Sequence, residues 1–306
     1  MSVGDDDNSV DAGAPEQADV RRILHRLRPM WIPILLGSVS SGILLPSVPY
    51  IFTDFFARQY TDLPPSAIHC ETTPTASYCK DAVNDNVKWQ TIMGFVASVI
   101  HFILGPLLGA LSDAVGRRPV LAVGALCGVP VTLAFSLSVY CDLSLYVPLA
   151  LMPLNDLPTL AIWFAYIVDL LERESDCSAA FGWITAASLG SLMLGAGIGA
   201  ALPVKAGLTL MLIVDLGLVV PYLVCCLPES LPKEKRKAMQ WRASMPGVGL
   251  KILARNGLFS RLSTIVIGQT FLAAGFQRVS TSYLQKYLTW PKSANTTAMA
   301  TGMFSS

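Results

Sequence analysis

Seven stretches of this chain are apolar over the length that a helix needs to cross a bilayer, and this constrains the fold more than any other feature. A hydrocarbon core about 30 Å thick takes roughly 20 residues of α-helix. Runs of that order fall near 30–52, 90–111, 119–140, 145–167, 180–202, 206–227 and 262–284. In lipid every backbone N–H and C=O must find a partner within the chain, which leaves helices and closed barrels as spanning structures. Barrel strands alternate apolar and polar residues over about 10 positions, whereas these runs are continuous. The sequence therefore predicts an all-α, polytopic membrane protein. Composition agrees: 53% of the 306 residues are hydrophobic and 14% are charged, against about a quarter charged in soluble chains. Pro46, Pro49, Pro153 and Pro158 lie inside predicted spans, where neighbouring helices, side chains or water re-satisfy the freed backbone groups.

Basic residues orient such a chain, because short cytoplasmic loops retain Lys and Arg. With the N-terminus inside, the cytoplasmic segments hold Arg21, Arg22, Arg26, Arg28, Arg117, Arg118, Arg173 and the eight basic residues from Lys233 to Arg261, 15 of the 22 Lys and Arg. A cytoplasmic N-terminus is thus predicted, with plasma membrane and endomembrane both open. Residues 1–29 read as a disordered tail, and 30–227 as a six-helix bundle with an outer loop at 53–89. Residues 228–261 read as a basic linker lying on anionic lipid, and 262–306 as the start of a second bundle. The first apolar run starts too late and is too long for a cleaved signal peptide.

The outer loop carries "CETTPTASYC", so a Cys70–Cys79 disulfide would pin a segment that is otherwise costly to order. Cys141, at the outer end of the third span, is a competing partner. The other four cysteines read as inert thiols. "NTT" makes Asn295 a glycosylation candidate on the outer side.

"GALSDAVGRRPVL", residues 109–121, connects the second and third spans. Gly109 lets helices approach closely, Gly116 permits a backbone conformation that other residues resist, and Pro119 suits the first turn of a helix. Asp113 sits near the end of one helix, and Arg117 and Arg118 near the start of the next. Both placements oppose the helix macrodipoles, by about 0.3–1 kcal/mol each. Topology signalling accounts for the arginines but not for the acid or the glycine spacing.

This loop resembles the Gly-x-x-x-Asp-x-x-Gly-Arg-Arg signature of the major facilitator superfamily, at the position between spans two and three where that family carries it. "GILLPSVPYI", "AYIVDLLERESDCSAAFG", "GAGIGAAL" and "CLPESLP" are similar to stretches of the branch that holds tetracycline efflux, hippocampus-abundant-transcript-like and proton-coupled folate transporters. The resemblance covers about residues 28 to 306. It implies the major facilitator fold: an N-terminal six-helix bundle, then the seventh helix of a second bundle, the two rocking around a midplane site. It also implies an electrostatic latch between the halves, formed by Asp113, Arg117 and Arg118. Family members have twelve spans, so the chain is expected to be truncated, with the latch partners lying beyond Ser306 or on a second chain. Several positions depart from the pattern. Ala114 follows the signature acid where the family commonly has a basic residue, and the fourth-span Arg motif is replaced by apolar residues around Ala150. Gly195-Ala196 stands where drug antiporters have Gly-Pro, and the efflux branch's first-span acid, expected near Gly37, is missing.

Polar residues inside the spans mark candidate substrate or proton paths. An ionised side chain at the bilayer centre costs about 2.5–3.5 kcal/mol on insertion scales, and usually faces a cavity or partner. Asn155 and Asp156, bracketed by Pro153 and Pro158 in "PLNDLP", suggest a broken helix whose freed carbonyls could bind a cation or substrate donor. Asp215 and Gln269 are further candidates. His101 reads as a proton relay or, more simply, as a hydrogen-bonded packing residue. Gly190, Gly195, Gly197 and Gly199 read as close helix packing.

No metal-ligand spacing, phosphate-binding loop, catalytic triad or nucleic-acid surface stands out, so neither an enzyme nor a cofactor is expected. The expected partners are a small-molecule solute, protons and the bilayer. The expected function is secondary active transport; a receptor, a half-length regulator or an inactive fragment is the alternative.

Overall fold

A computed structural model describes residues 21–64, 67–70, 73, 75–155, 157–171, 173–239 and 256–287. Asp156 and Asn295 lie outside the described residues. Among the described residues, six helical segments are long and apolar enough to cross a membrane. The chain is all-helical. The first span is α1 (Arg28–Leu44) followed by α2 (Val48–Ala57), and the second lies within α3 (Ser77–Val115). The third is α4 (Arg117–Tyr140), and the fourth is α5 (Tyr146–Asn155) followed by α6 (Leu160–Leu170). The fifth is α7 (Glu174–Ala201). The sixth begins as α8 (Val204–Val214) and continues in π-helical turns over Asp215–Val219 and Tyr222–Cys226. The predicted seventh span falls within α9 (Gly257–Lys286), which leans on α3.

Two sequence-based boundaries change. The outer loop expected over 53–89 is largely helical, because α2 runs through Ala57 and α3 starts at Ser77. Residues 77–89 are too polar to register as a span. Yet Cys79, Ala82, Val83 and Asn86 are buried on one face of α3, the three- and four-residue spacing of an amphipathic helix. At 1.5 Å per residue α3 is about 58 Å long, so it projects well past a hydrocarbon core. The tail expected to extend to residue 29 also ends earlier. Residues 21–26 are helical, and Ile23 and Leu27 are buried. Residues 1–20 lie outside the described residues.

The bundle has a core at each end. At one end Phe52, Phe56, Cys70, Cys79, Phe135, Leu149 and Leu208 cluster. Cys70 and Cys79 are joined as a disulfide with their Cα atoms 5.6 Å apart, while Cys141 is a free, exposed thiol. Beside it Asn86 Nδ2 donates to Pro49 O (3.1 Å) and to Thr53 Oγ1 (3.1 Å), and Gln90 Nε2 donates to Asn86 Oδ1 (2.6 Å). At the other end Leu27, Met30, Leu121, Ile162, Tyr166, Ile167 and Leu227 pack together.

The most extensive helix pair is α1 with α7. A Cβ on Gly42 would overlap the backbone of Leu192 and Ala196, one on Gly195 the carbonyl of Val39, and one on Gly199 the carbonyl of Ile43. The two backbones therefore touch, the contact that small residues permit between membrane helices. Gly109, Gly190 and Gly197 have open space where a Cβ would sit, so the close approach expected of them is absent. Replacing Gly195 by Ala should destabilise the purified protein by about 1–3 kcal/mol, the usual cost of overpacking. Gly197→Ala should change it by no more than about 0.5 kcal/mol. Thermal unfolding of the two variants in one detergent checks the contrast.

Candidate functional site

The loop between α3 and α4 closes on three other segments. Gly116 has φ 122°, a conformation that L side chains rarely adopt, and a Cβ there would strike the Glu229 carboxylate. The turn aims the Arg117 guanidinium back along α3. Its Nη1 lies 2.5 Å from Asp113 Oδ1 and donates to Ser112 Oγ at 2.6 Å. Its Nε pairs with Asp169 Oδ2, near the end of α6, at 3.1 Å. The Arg117 side chain is only 12% exposed, against 20% for Asp169 and 46% for Asp113. Ser230 Oγ adds a bond to the same Asp169 oxygen at 3.3 Å.

The backbone N–H of Arg117, the first residue of α4, donates to Glu229 Oε1 at 2.8 Å. Glu229 therefore acts as a cap for α4 supplied from the end of the sixth span. Its other oxygen faces Arg236 Nη2 at 3.8 Å. Arg118 reaches the opposite way, and its Nη2 donates to the carbonyls of Val224 (2.6 Å) and Cys225 (3.2 Å). These arginines only seemed to oppose the local field. Arg118 sits at the C-terminal, negative end of another helix, and a carboxylate faces the N-terminal, positive end of α4, each the favoured sign.

Within this chain Asp113, Arg117 and Arg118 are not left with only each other as partners. The partners of the two arginines lie at the ends of the second, fourth and sixth spans. The sequence reading missed Ser112, Asp169 and Glu229. Asp169 and Glu229 stand in the two quoted stretches "AYIVDLLERESDCSAAFG" and "CLPESLP". The signal was available: in an even-numbered hairpin topology the ends of spans two, four and six meet on one side.

Within the spans His101 meets the break beside Asn155, while Asp215 and Gln269 stand on other helices. The fourth span is broken between Asn155 and Leu160, and one carbonyl freed there is taken. His101 Nε2 lies 3.1 Å from Pro153 O, and since a carbonyl only accepts, Nε2 carries the proton and donates. His101 thus pins α3 to the break. Gly124 and Gly128 of α4 face Thr159 and Asn155 across it. Asp215 opens the first π-helical turn beside Ser40 of α1, a fully buried serine whose Oγ has no hydrogen bond of ordinary geometry. Gln269 is exposed on α9.

A groove of about 400 Å³ opens between α1, α6 and α7. Gly37, Ser38 and Ser41 line one wall, Trp163 and Phe164 the second, and Ser188 the third. His101, Asn155, Asp215 and Gln269 are not among its described lining residues.

Six spans among the described residues, two of them broken at prolines and tied together at one end by arginine–carboxylate pairs, define a polytopic helical membrane bundle. The chain belongs to the Major Facilitator Superfamily, whose model matches residues 30–306. It is 28% identical over 216 residues to the Bos taurus hippocampus abundant transcript-like protein 1, covering 68% of this chain and 40% of that protein. It is 26% identical over 238 residues to the Homo sapiens hippocampus abundant transcript 1 protein, covering 72% of this chain and 45% of the relative. The chain thus spans less than half the length of these relatives. Its fold is similar to the crystal structure of the human organic anion transporter MFSD10 (TETRAN), with a TM-score of 0.65 and 20% identity over 92% of this chain and 70% of that one.

Arg117→Ala should lower the stability of the purified protein by about 3 kcal/mol, because Asp113 and Asp169 would face each other around the lost cation. Arg117→Lys should recover only part of this, since an ammonium cannot reproduce the fork of Nε and Nη1. Thermal unfolding of both variants beside the parent measures the difference.

Proposed function

We propose that this chain works in secondary active transport of a small organic solute by alternating access, driven by protons, with its N-terminus in the cytoplasm. The observation that carries the reading is the Arg117 cluster. One cation holds the connection between spans two and three, the end of the fourth span and, through its own backbone N–H, the end of the sixth. Such a tie can be made in one state and released in another because its charges lie at the membrane edge, where water replaces lost partners. Asp113, almost half exposed, has an oxygen available for a partner from outside this bundle. The bias of Lys and Arg toward the same side supports the orientation.

Proton coupling rests on Asp215 and Asp156. Carboxyl groups within a span are costly when ionised and serve as proton relays in pumps and transporters. Asp215 stands where the sixth span changes from α to π winding, and π turns inside helices occur often at functional sites.

The full-length protein in proteoliposomes tests the reading. A proton gradient should drive accumulation of a transported solute above its passive level. Asp215→Asn should abolish that accumulation and flatten its pH dependence while leaving downhill exchange. Gradient-driven uptake that is unchanged in both Asp215→Asn and Asp156→Asn would remove these acids from the coupling path.

A further inference from the structure

We infer that Ser40 is the positioning residue for Asp215: its buried hydroxyl turns onto the carboxylate when the acid gives up its proton, and so sets how readily the proton leaves. This rests on the reading of Asp215 as a coupling acid and adds the group that tunes it.

Two observations meet at this point of the bundle. The first is an unanswered hydroxyl. Ser40 is fully buried, and its Oγ makes no hydrogen bond of ordinary geometry among the described residues. Serine and threonine inside helices often donate to the carbonyl four residues back, and Thr53, Ser98, Thr132, Ser136 and Ser138 all do so. Ser40 does not. A buried polar group left without a partner costs about 1–3 kcal/mol, and such a group in a native structure calls for an explanation.

The second observation is what the hydroxyl faces. α1 packs on the turn Asp215–Val219, and Ser40 stands beside the Asp215 carboxyl, near enough to act on its charge. The turn is π-wound: Val220 N donates to Asp215 O, five residues back. The other charged and titratable side chains on the surrounding elements lie two helical turns or more away along those elements. They are Arg28 on α1, Lys205 on α8, Tyr222, Cys225 and Cys226 in the second π turn, and Glu174, Asp176 and Cys177 at the start of α7. The serine is therefore the polar group placed to answer this acid.

The chemistry runs one way. An ionised carboxylate only accepts, and a serine hydroxyl has one proton to donate. A hydrogen bond to the charged form favours that form, which in a span is otherwise costly. Rotation of the serine about χ1 between staggered wells makes or withdraws the bond. No backbone movement is needed, which suits a helix whose backbone is held against α7 at Gly42.

Carbodiimide labelling reads the protonated acid without a solute. Full-length protein in lipid nanodiscs is treated with N,N′-dicyclohexylcarbodiimide across a pH series, and the Asp215 peptide is quantified by mass spectrometry. Labelling should fall sigmoidally as pH rises. In Ser40→Ala the midpoint should move up by at least about half a pH unit, a proton held about threefold more tightly, with no loss of thermal stability, because an unpaired hydroxyl is removed. Ser40→Cys, a weaker donor of similar size, should lie between the two and serves if the alanine variant does not fold. Ser38→Ala, on the groove side of the same helix, should leave the midpoint in place. A midpoint that is unmoved or lowered in Ser40→Ala overturns the inference. So does Asp215 labelling that is absent or independent of pH in the parent, or a shift in Ser38→Ala as large as that in Ser40→Ala.

The coupling reading fails separately. A midpoint that follows Ser40 in a protein whose gradient-driven uptake survives Asp215→Asn would overturn coupling through Asp215 alone. Uptake lost in Asp215→Asn with a midpoint indifferent to Ser40 would overturn the serine's role alone.

Discussion

The backbone contact between α1 and α7 is the constraint on which the rest of the bundle depends. Gly42 meets the backbone of residues 192 to 196, and Gly195 and Gly199 meet the carbonyls of Val39 and Ile43. Lipid tails are as apolar as the helices, so burial of apolar surface gives little drive to association in a membrane, and close packing has to supply it. Once these backbones touch, their relative position is fixed, with little side-chain freedom to absorb a shift. Two features follow from that fixed pair. Toward the N-terminal half of α1 the helices leave the groove in which Ser38 and Ser41 face Ser188. On another side of α1, buried Ser40 stands beside Asp215.

Around this seam three spans depart from regular α-helix, each in a way that raises the question of where its freed backbone groups go. The first span breaks between Leu44 and Val48, and the fourth between Asn155 and Leu160. The sixth winds into π turns at Asp215. In a membrane an unsatisfied carbonyl costs several kcal/mol, so such breaks survive only where side chains answer them. His101 answers for Pro153. In the first span Ser47 N donates to Leu44 O within the break, and Thr53 and Asn86 both donate to Pro49 O just past it, in α2. The polar residues of the spans are therefore partly structural, and His101 is accounted for as the donor that stabilises a break.

The two ends of the bundle are secured by different chemistry. At the disulfide end a covalent bond, an asparagine–threonine network and edge-on rings such as Phe52 and Phe135, 5.6 Å apart, give a closed cap. At the other end Arg117 and Arg118 join four helix termini through ion pairs and carbonyl bonds, while Tyr166 and Tyr222 donate to Pro228 O (2.7 Å) and Pro29 O (3.0 Å). The first end is held by a covalent bond and a buried polar network. The second is held by ion pairs and carbonyl bonds that water can substitute.

Apolar run length, the charge bias and the loop "GALSDAVGRRPVL" were enough to determine an all-helical membrane protein of the facilitator family, the first six of its seven predicted spans, and the loop that carries its charges. These properties are local: a 20-residue apolar run has few ways to satisfy its backbone in lipid, and Gly116 announces its turn in a short motif. The proline-bracketed break in the fourth span was legible for the same reason. Residues 77–89 were misread as loop because a helix outside the hydrocarbon core needs no continuous apolar run. What only the tertiary structure decided was which distant groups meet. Asp169 lies 52 residues from Arg117, and Glu229 lies 112. Neither distance leaves a trace in local periodicity, so their roles appear only when the helix ends are brought together. The groove is of the same kind, a space bounded by three helices. Its opening at Gly37 and its freedom from charge among the described lining residues belong to none of them alone.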